Sequence, residues 1–92
     1  MAVQAYVLIR CEAGTATRVV EELRKKDHVA RANSVFGDYD VIARVSVTEL
    51  PSSFSISTLE EIVFKEIQKV HGVISTKTHI VTSRDPDFDH HN

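Results

Sequence analysis

Tryptophan is absent from this chain, cysteine and methionine occur once each, and 92 residues contain only two prolines and three glycines. The single cysteine, Cys11, cannot close an internal disulfide, which excludes the small scaffolds that rely on disulfides instead of a core. No charged-then-apolar leader of signal-peptide type opens the sequence, so a reducing cytoplasm is the expected compartment. No apolar run approaches the roughly 20 residues that span a bilayer, and no membrane partner is expected. Positive charge is not in excess: 11 Lys and Arg stand against 13 Asp and Glu. A formal charge of −2 lacks the cationic surplus that drives non-specific nucleic-acid affinity, so direct nucleic-acid binding is not expected. Internal repeats and low-complexity segments are also missing.

What is present suits one small globular domain over residues 1–83, followed by an acidic, flexible tail over 84–92. A chain of this length buries only roughly 60–65% of its unfolded surface, so oligomerisation is the expected source of extra stability. Val3, Ala5, Val7 and Ile9 alternate with Tyr6 and Leu8, which predicts a strand that is apolar on both faces. Ala16, Val19, Val20 and Leu23 recur at helical spacing and predict a helix over 15–26, ending in the cations Arg24, Lys25 and Lys26.

His28 to Phe36 alternates Ala30, Ala32, Ser34 and Phe36 against Val29, Arg31, Asn33 and Val35, as a second strand would. Gly37-Asp38 is a turn signal, and from Asp40 the residues Val41, Ala43, Val45 and Val47 predict a third strand paired as a hairpin. The 48–56 stretch, with Pro51 and several serines, is a connecting loop. Ser57 and Glu60 have capping-box spacing before a helix carrying Leu59, Ile62, Val63, Ile67 and Val70 and ending at Gly72. Val73 to Thr82 is β-branched and predicts a fourth strand.

The order strand, helix, strand, strand, helix, strand is the ferredoxin-like βαββαβ pattern of the α+β class, one four-stranded antiparallel sheet with both helices on one face. Tyr6, Leu8 and Ile42 then lie on the bare face, which implies a sheet-to-sheet dimer.

Ala5-Tyr6-Val7-Leu8-Ile9, then Val35-Phe36-Gly37-Asp38-Tyr39-Asp40, then Gly72-Val73-Ile74-Ser75-Thr76-Lys77-Thr78-His79-Ile80-Val81 together resemble the ligand-sensing RAM domain of the Lrp/AsnC family. The resemblance is to stand-alone members, because the DNA-binding helix-turn-helix half has no counterpart in this sequence. It implies dimers joined into a ring of four or five, so an octamer or decamer, with a free amino acid held between dimers. It also implies action on transcription through partners such as full-length Lrp/AsnC regulators.

The residues it assigns to the effector are Gly37, Asp38, Tyr39, Asp40, Ser75, Thr76 and Thr78. A carboxylate of Asp38 or, first, Asp40 would take the ammonium group, and the hydroxyls of Ser75, Thr76 and Thr78 with the amides near Gly37 would take the carboxylate. The 48–56 connection is longer than the resemblance predicts, which bears on side-chain specificity.

Other readings are weaker. His90 and His91 beside Asp87 and Asp89 lack zinc-ligand spacing, so neither a metal nor a cofactor is expected. Cys11 has no resolving cysteine and reads as a small hydrophobe, while His71 and His79 read as structural. A cofactor-free ferredoxin-like enzyme would rest on His79 alone, without a second titrating partner, so no catalytic residue is assigned. RNA recognition on this topology needs aromatics on the third strand, and Asp40 to Val45 has none. An ACT-type amino-acid-binding module is the nearest rival.

Overall fold

The alternation of apolar side chains along β1 (Val3–Cys11) turns Ala5, Val7 and Ile9 into the protein, where all three are fully buried. The same alternation along β3 (Val41–Val47) buries Val41, Ala43, Val45 and Val47. The two strands pair antiparallel from Val3 against Val47 to Ile9 against Val41. β4 (Val73–Ile80) adds to the other edge of β1, and β2 (Val29–Ser34) to the other edge of β3, giving the order β2-β3-β1-β4. This is the expected ferredoxin-like sheet. The computed structural model describes residues 3–47 and 56–83, so the 48–55 connection and the 84–92 tail lie outside the described residues.

Two helical elements cover one face. From α1 (Ala16–Leu23), Val19, Val20 and Leu23 enter the core, and from α2 (Ile56–Val63) Leu59 and Val63 do so. Each fully buried Val or Leu side chain contributes about 1.5–3 kcal/mol relative to exposure, so this apolar layer anchors both helices. On the opposite face Tyr6, Leu8 and Ile42 remain partly exposed, as the alternation requires.

Several sequence expectations are corrected. α1 ends at Leu23 and not near Lys26, because Lys25 and Lys26 donate to Glu22 and Leu23 in tighter turns. Arg24 is the C-cap, its N–H donating to the Val20 carbonyl at 3.0 Å and its Nε to the Ala32 carbonyl at 3.1 Å. β2 spans 29–34 instead of 28–36, and it does not alternate: a register shift between Val29 and Arg31 lets Val29 and Ala32 both face the core, three residues apart. β3 begins at Val41, one residue after Asp40, and β4 stops at Ile80 instead of Thr82.

The capping box is not formed as read. The helix begins at Ile56, which places Ser57 inside the first turn. Beyond Val63 the chain continues as a π-helical segment, Phe64–Gln68. Ile67 of this segment is buried in the same core cluster as Leu59 and Val63. Glu66 of this segment is pinned by the α1–β2 connection. Its Oε1 lies 2.8 Å from Nδ1 of His28, and its Oε2 accepts the His28 backbone N–H at 3.2 Å.

Candidate functional site

At the C-terminal end of β1 the strand is clasped from both sides. Ile9 is the Cα partner of Val41 on β3 and of Thr76 on β4. The register between β1 and β4 shifts between Arg10 and Cys11, freeing the Cys11 N–H from the ladder. Asp40 takes it: Oδ2 of Asp40 accepts the Cys11 N–H at 2.8 Å, while the Asp40 N–H donates to the Ile9 carbonyl at 2.9 Å. The Asp40 carbonyl in turn accepts the Val35 N–H at 2.9 Å and closes the β2–β3 turn. Asp40 therefore fastens the turn to β1. The thiol of Cys11 is pushed up from its ordinary value of 9.0 by burial first and by the Asp40 charge second, with a Thr15 hydrogen bond acting the other way.

The seven expected site residues divide into three groups around this end of the sheet. Gly37 and Asp38 are exposed at the turn, while Tyr39 and Asp40 are half-buried beside it. The Arg10 guanidinium lies 5.5 Å from the centre of the Tyr39 ring. Ser75 is the Cα partner of Arg10 and shares its open face. Arg10 thus stands between the turn and β4.

Thr76 and Thr78 pair with Ile9 and Val7 and so point to the helix side. They line a groove of about 600 Å³ against α2 with Ser57, Glu60, Glu61 and Gln68. Gln68 Nε2 donates to Thr76 Oγ1 at 2.8 Å. The turn and Thr76 flank the same residue of β1, which sets them about two strand spacings, roughly 9.6 Å, apart. Within one chain, Ser75 and Thr76 look to opposite faces.

Sequence reading missed Arg10, Glu60, Glu61 and Gln68. A signal for the last three was available: Ser57, Glu60, Glu61, Phe64 and Gln68 form a stripe at helical spacing beside the apolar one, and Glu60 was absorbed into a capping role. Arg10 carried no signal, because its neighbours Tyr39 and Ser75 are remote in sequence.

Comparison with known proteins gives a consistent assignment. A family model for the Lrp/AsnC ligand binding domain matches residues 4–86. An uncharacterized HTH-type transcriptional regulator of Pyrococcus abyssi is 33% identical over 79 residues, covering 86% of this chain and 46% of that protein. The chain thus spans about half the length of the curated relatives it matches. A crystal structure of a Thermus thermophilus protein is similar at a TM-score of 0.74 and 27% identity, covering 91% of this chain and 98% of that one. AsnC of E. coli is similar at a TM-score of 0.73 and 25% identity, covering 91% of this chain and 52% of that one. With its sheet order, helix-covered face and a family match over nearly its whole length, the chain belongs to the Lrp/AsnC ligand-binding-domain family.

Proposed function

We infer that this chain is an effector-sensing and assembly module that binds a free amino acid at the C-terminal end of β1. The observation that carries the reading is the position of Arg10, between Tyr39 of the turn and Ser75 of β4, with Asp38 exposed in the same turn. A guanidinium and a carboxylate at one end of a sheet are complementary to the two charges of an amino acid. Arg10 and the Ser75 hydroxyl would take the α-carboxylate. Asp38 would take the ammonium group, since one oxygen of Asp40 already holds the Cys11 N–H.

The remaining groups, Thr76 and Thr78, look into the helix-side groove, and a ligand meets both sets only where two protomers or two dimers adjoin. The partly exposed Tyr6, Leu8 and Ile42 support a sheet-to-sheet dimer as the first step, and rings of dimers as the second. Effector held between dimers would stabilise the ring by mass action, so amino-acid concentration would be read out as assembly state. The relationship to HTH-type regulators supports co-assembly with a full-length relative as the route to transcription.

Calorimetric titration of the twenty amino acids into protein of known sedimentation state tests this. Saturable binding of at least one, weakened in Arg10→Gln and accompanied by a change in assembly, is the expected result. Assembled protein that gives no saturable heat with any of them would remove the sensing claim.

A further inference from the structure

The helical layer carries a cationic recess that effector binding does not use. Its volume is about 320 Å³, and its lining comes from two places: Arg18, Glu22 and Lys26 along α1 and the turn after it, and Lys69, Val70 and His71 beyond the π-helical segment. None of these residues lines the groove beside Thr76 and Thr78, and none belongs to the sheet. The helices lie across the sheet from Tyr6, Leu8 and Ile42, so pairing of two bare faces leaves the recess open.

Glu22 is the one carboxylate in the lining, and the Lys25 ammonium lies 3.5 Å from it. Arg18 and Lys26 take part in no ion pair among the described residues, although Lys26 is half-buried. The Lys69 ammonium sits 5.1 Å from the centre of the Phe64 ring, a contact that leaves its charge unneutralised. In a chain of net charge −2, three cations thus gather with no free anion in the lining to balance them.

Helix ends account for two of the three. Lys26 follows the C-terminus of α1 and Lys69 caps the π-helical segment, where cations are favoured. Arg18 stands in the first turn of α1, the positive end of the helix, where a cation is disfavoured and this helix has no acidic residue. Helix stability gives no reason for an arginine there, whereas an anion in the recess does.

We propose that this recess binds an anion of two or more linked phosphate groups, either inorganic or the phosphate chain of a nucleotide, held between Arg18 and Lys26. Two helical turns separate these residues, roughly 12 Å at a rise of ~1.5 Å per residue. A single phosphate group, at about −1.5 to −2 near neutral pH, meets one end and leaves a cation over. A chain of phosphates meets the guanidinium fork at one end and the ammonium groups at the other, with a ring nitrogen of His71 beside them. The lining has no aromatic ring on which a base would stack, so the phosphate chain is the recognised part. All six lining residues belong to one chain, and the site stands whether or not the amino-acid reading holds.

The test is calorimetric titration of the full chain at fixed ionic strength, without any amino acid. Orthophosphate, pyrophosphate, tripolyphosphate, ADP and a short DNA duplex are the probes. Saturable binding of pyrophosphate and tripolyphosphate is expected, with orthophosphate at least about tenfold weaker. Arg18→Gln and Lys26→Gln should each weaken pyrophosphate binding about tenfold, the scale of losing a charged hydrogen bond. Lys65→Gln, which removes the same charge outside the recess, should leave it unchanged, and Arg18→Lys, which keeps the charge but not the fork, should fall between.

Tighter binding of ADP than of pyrophosphate assigns the site to a nucleotide, and the reverse assigns it to the inorganic chain. Either supports the proposal. It is overturned if pyrophosphate and tripolyphosphate give no saturable heat, if orthophosphate binds as tightly as they do, or if Arg18→Gln and Lys26→Gln bind as the parent does. It is equally overturned if Lys65→Gln weakens binding as much as they do, or if the DNA duplex alone binds, which would make the recess part of a nucleic-acid surface.

Discussion

Replacement of Gly72 by alanine tests how tightly the helix layer is seated on the sheet. Gly72 has φ +101°, and its carbonyl accepts the Glu12 N–H at 2.8 Å, so its position is tied to the end of β1. A Cβ there would lie 2.9 Å from Oγ1 and 3.0 Å from Cβ of Thr15, and 3.2 Å from Cγ2 of Val19. Neither neighbour yields easily: the Thr15 hydroxyl donates to the Glu12 carbonyl at 2.7 Å, and Val19 is fully buried. Left-handed backbone costs a non-glycine residue about 1–2 kcal/mol, and overpacking adds about 1–3 kcal/mol. Reduced freedom of the unfolded chain returns about 0.4–1 kcal/mol.

The net loss is about 1–4.5 kcal/mol, and the central value of about 3 kcal/mol lowers Tm by roughly 12–24 °C for a domain of this size. Gly14 is the control: its φ is +78°, but nothing lies within 4 Å of an added Cβ, so Gly14→Ala carries the backbone cost alone. Thermal melts followed by circular dichroism, at matched protein concentration because assembly couples to Tm, should rank Gly72→Ala well below Gly14→Ala. Equal losses for the two variants would refute the steric argument.

Three further outcomes are expected. Asp40→Ala leaves the Cys11 N–H without its acceptor and should lower stability by about 1–3 kcal/mol in urea unfolding, whereas Asp40→Asn, which keeps an acceptor, should lose about 1 kcal/mol. The raised pKa of Cys11 means that the folded protein holds the thiol proton where the unfolded chain has lost it, so its contribution is fully present below pH 9.0 and declines as pH rises beyond it. Cys11→Ala should flatten that alkaline fall in urea midpoints, and alkylation of the folded thiol should be slower than that of the unfolded chain. Leu8→Asp and Ile42→Asp place charge on the bare face outside the core; sedimentation should show dissociated protomers with unchanged circular dichroism.

Much of the architecture was legible because its signals are local. Period-two alternation in β1 and β3 and helical spacing of Val19, Val20 and Leu23 depend only on neighbouring residues, and they determined the element order and the buried face. The exposed side of that same pattern also marked Tyr6, Leu8 and Ile42 as the face without a helix. Of the candidate site, the turn residues and the β4 hydroxyls were visible by resemblance, but not that Ser75 and Thr76 face opposite ways around one end of β1.

Tertiary structure decided the rest. The bulge that buries Val29 with Ala32, the π-helical turn over Phe64–Gln68, and the carboxylate of Asp40 bonded to an amide 29 residues away all answer to long-range fit. Arg31 faces Arg44, and Arg10 reaches Tyr39, only once strand register is set. Register depends on how the whole sheet closes against its helices. No window of adjacent residues contains that information, so the sequence alone determined which elements form and which side of each is buried, and the packed sheet determined which charges meet.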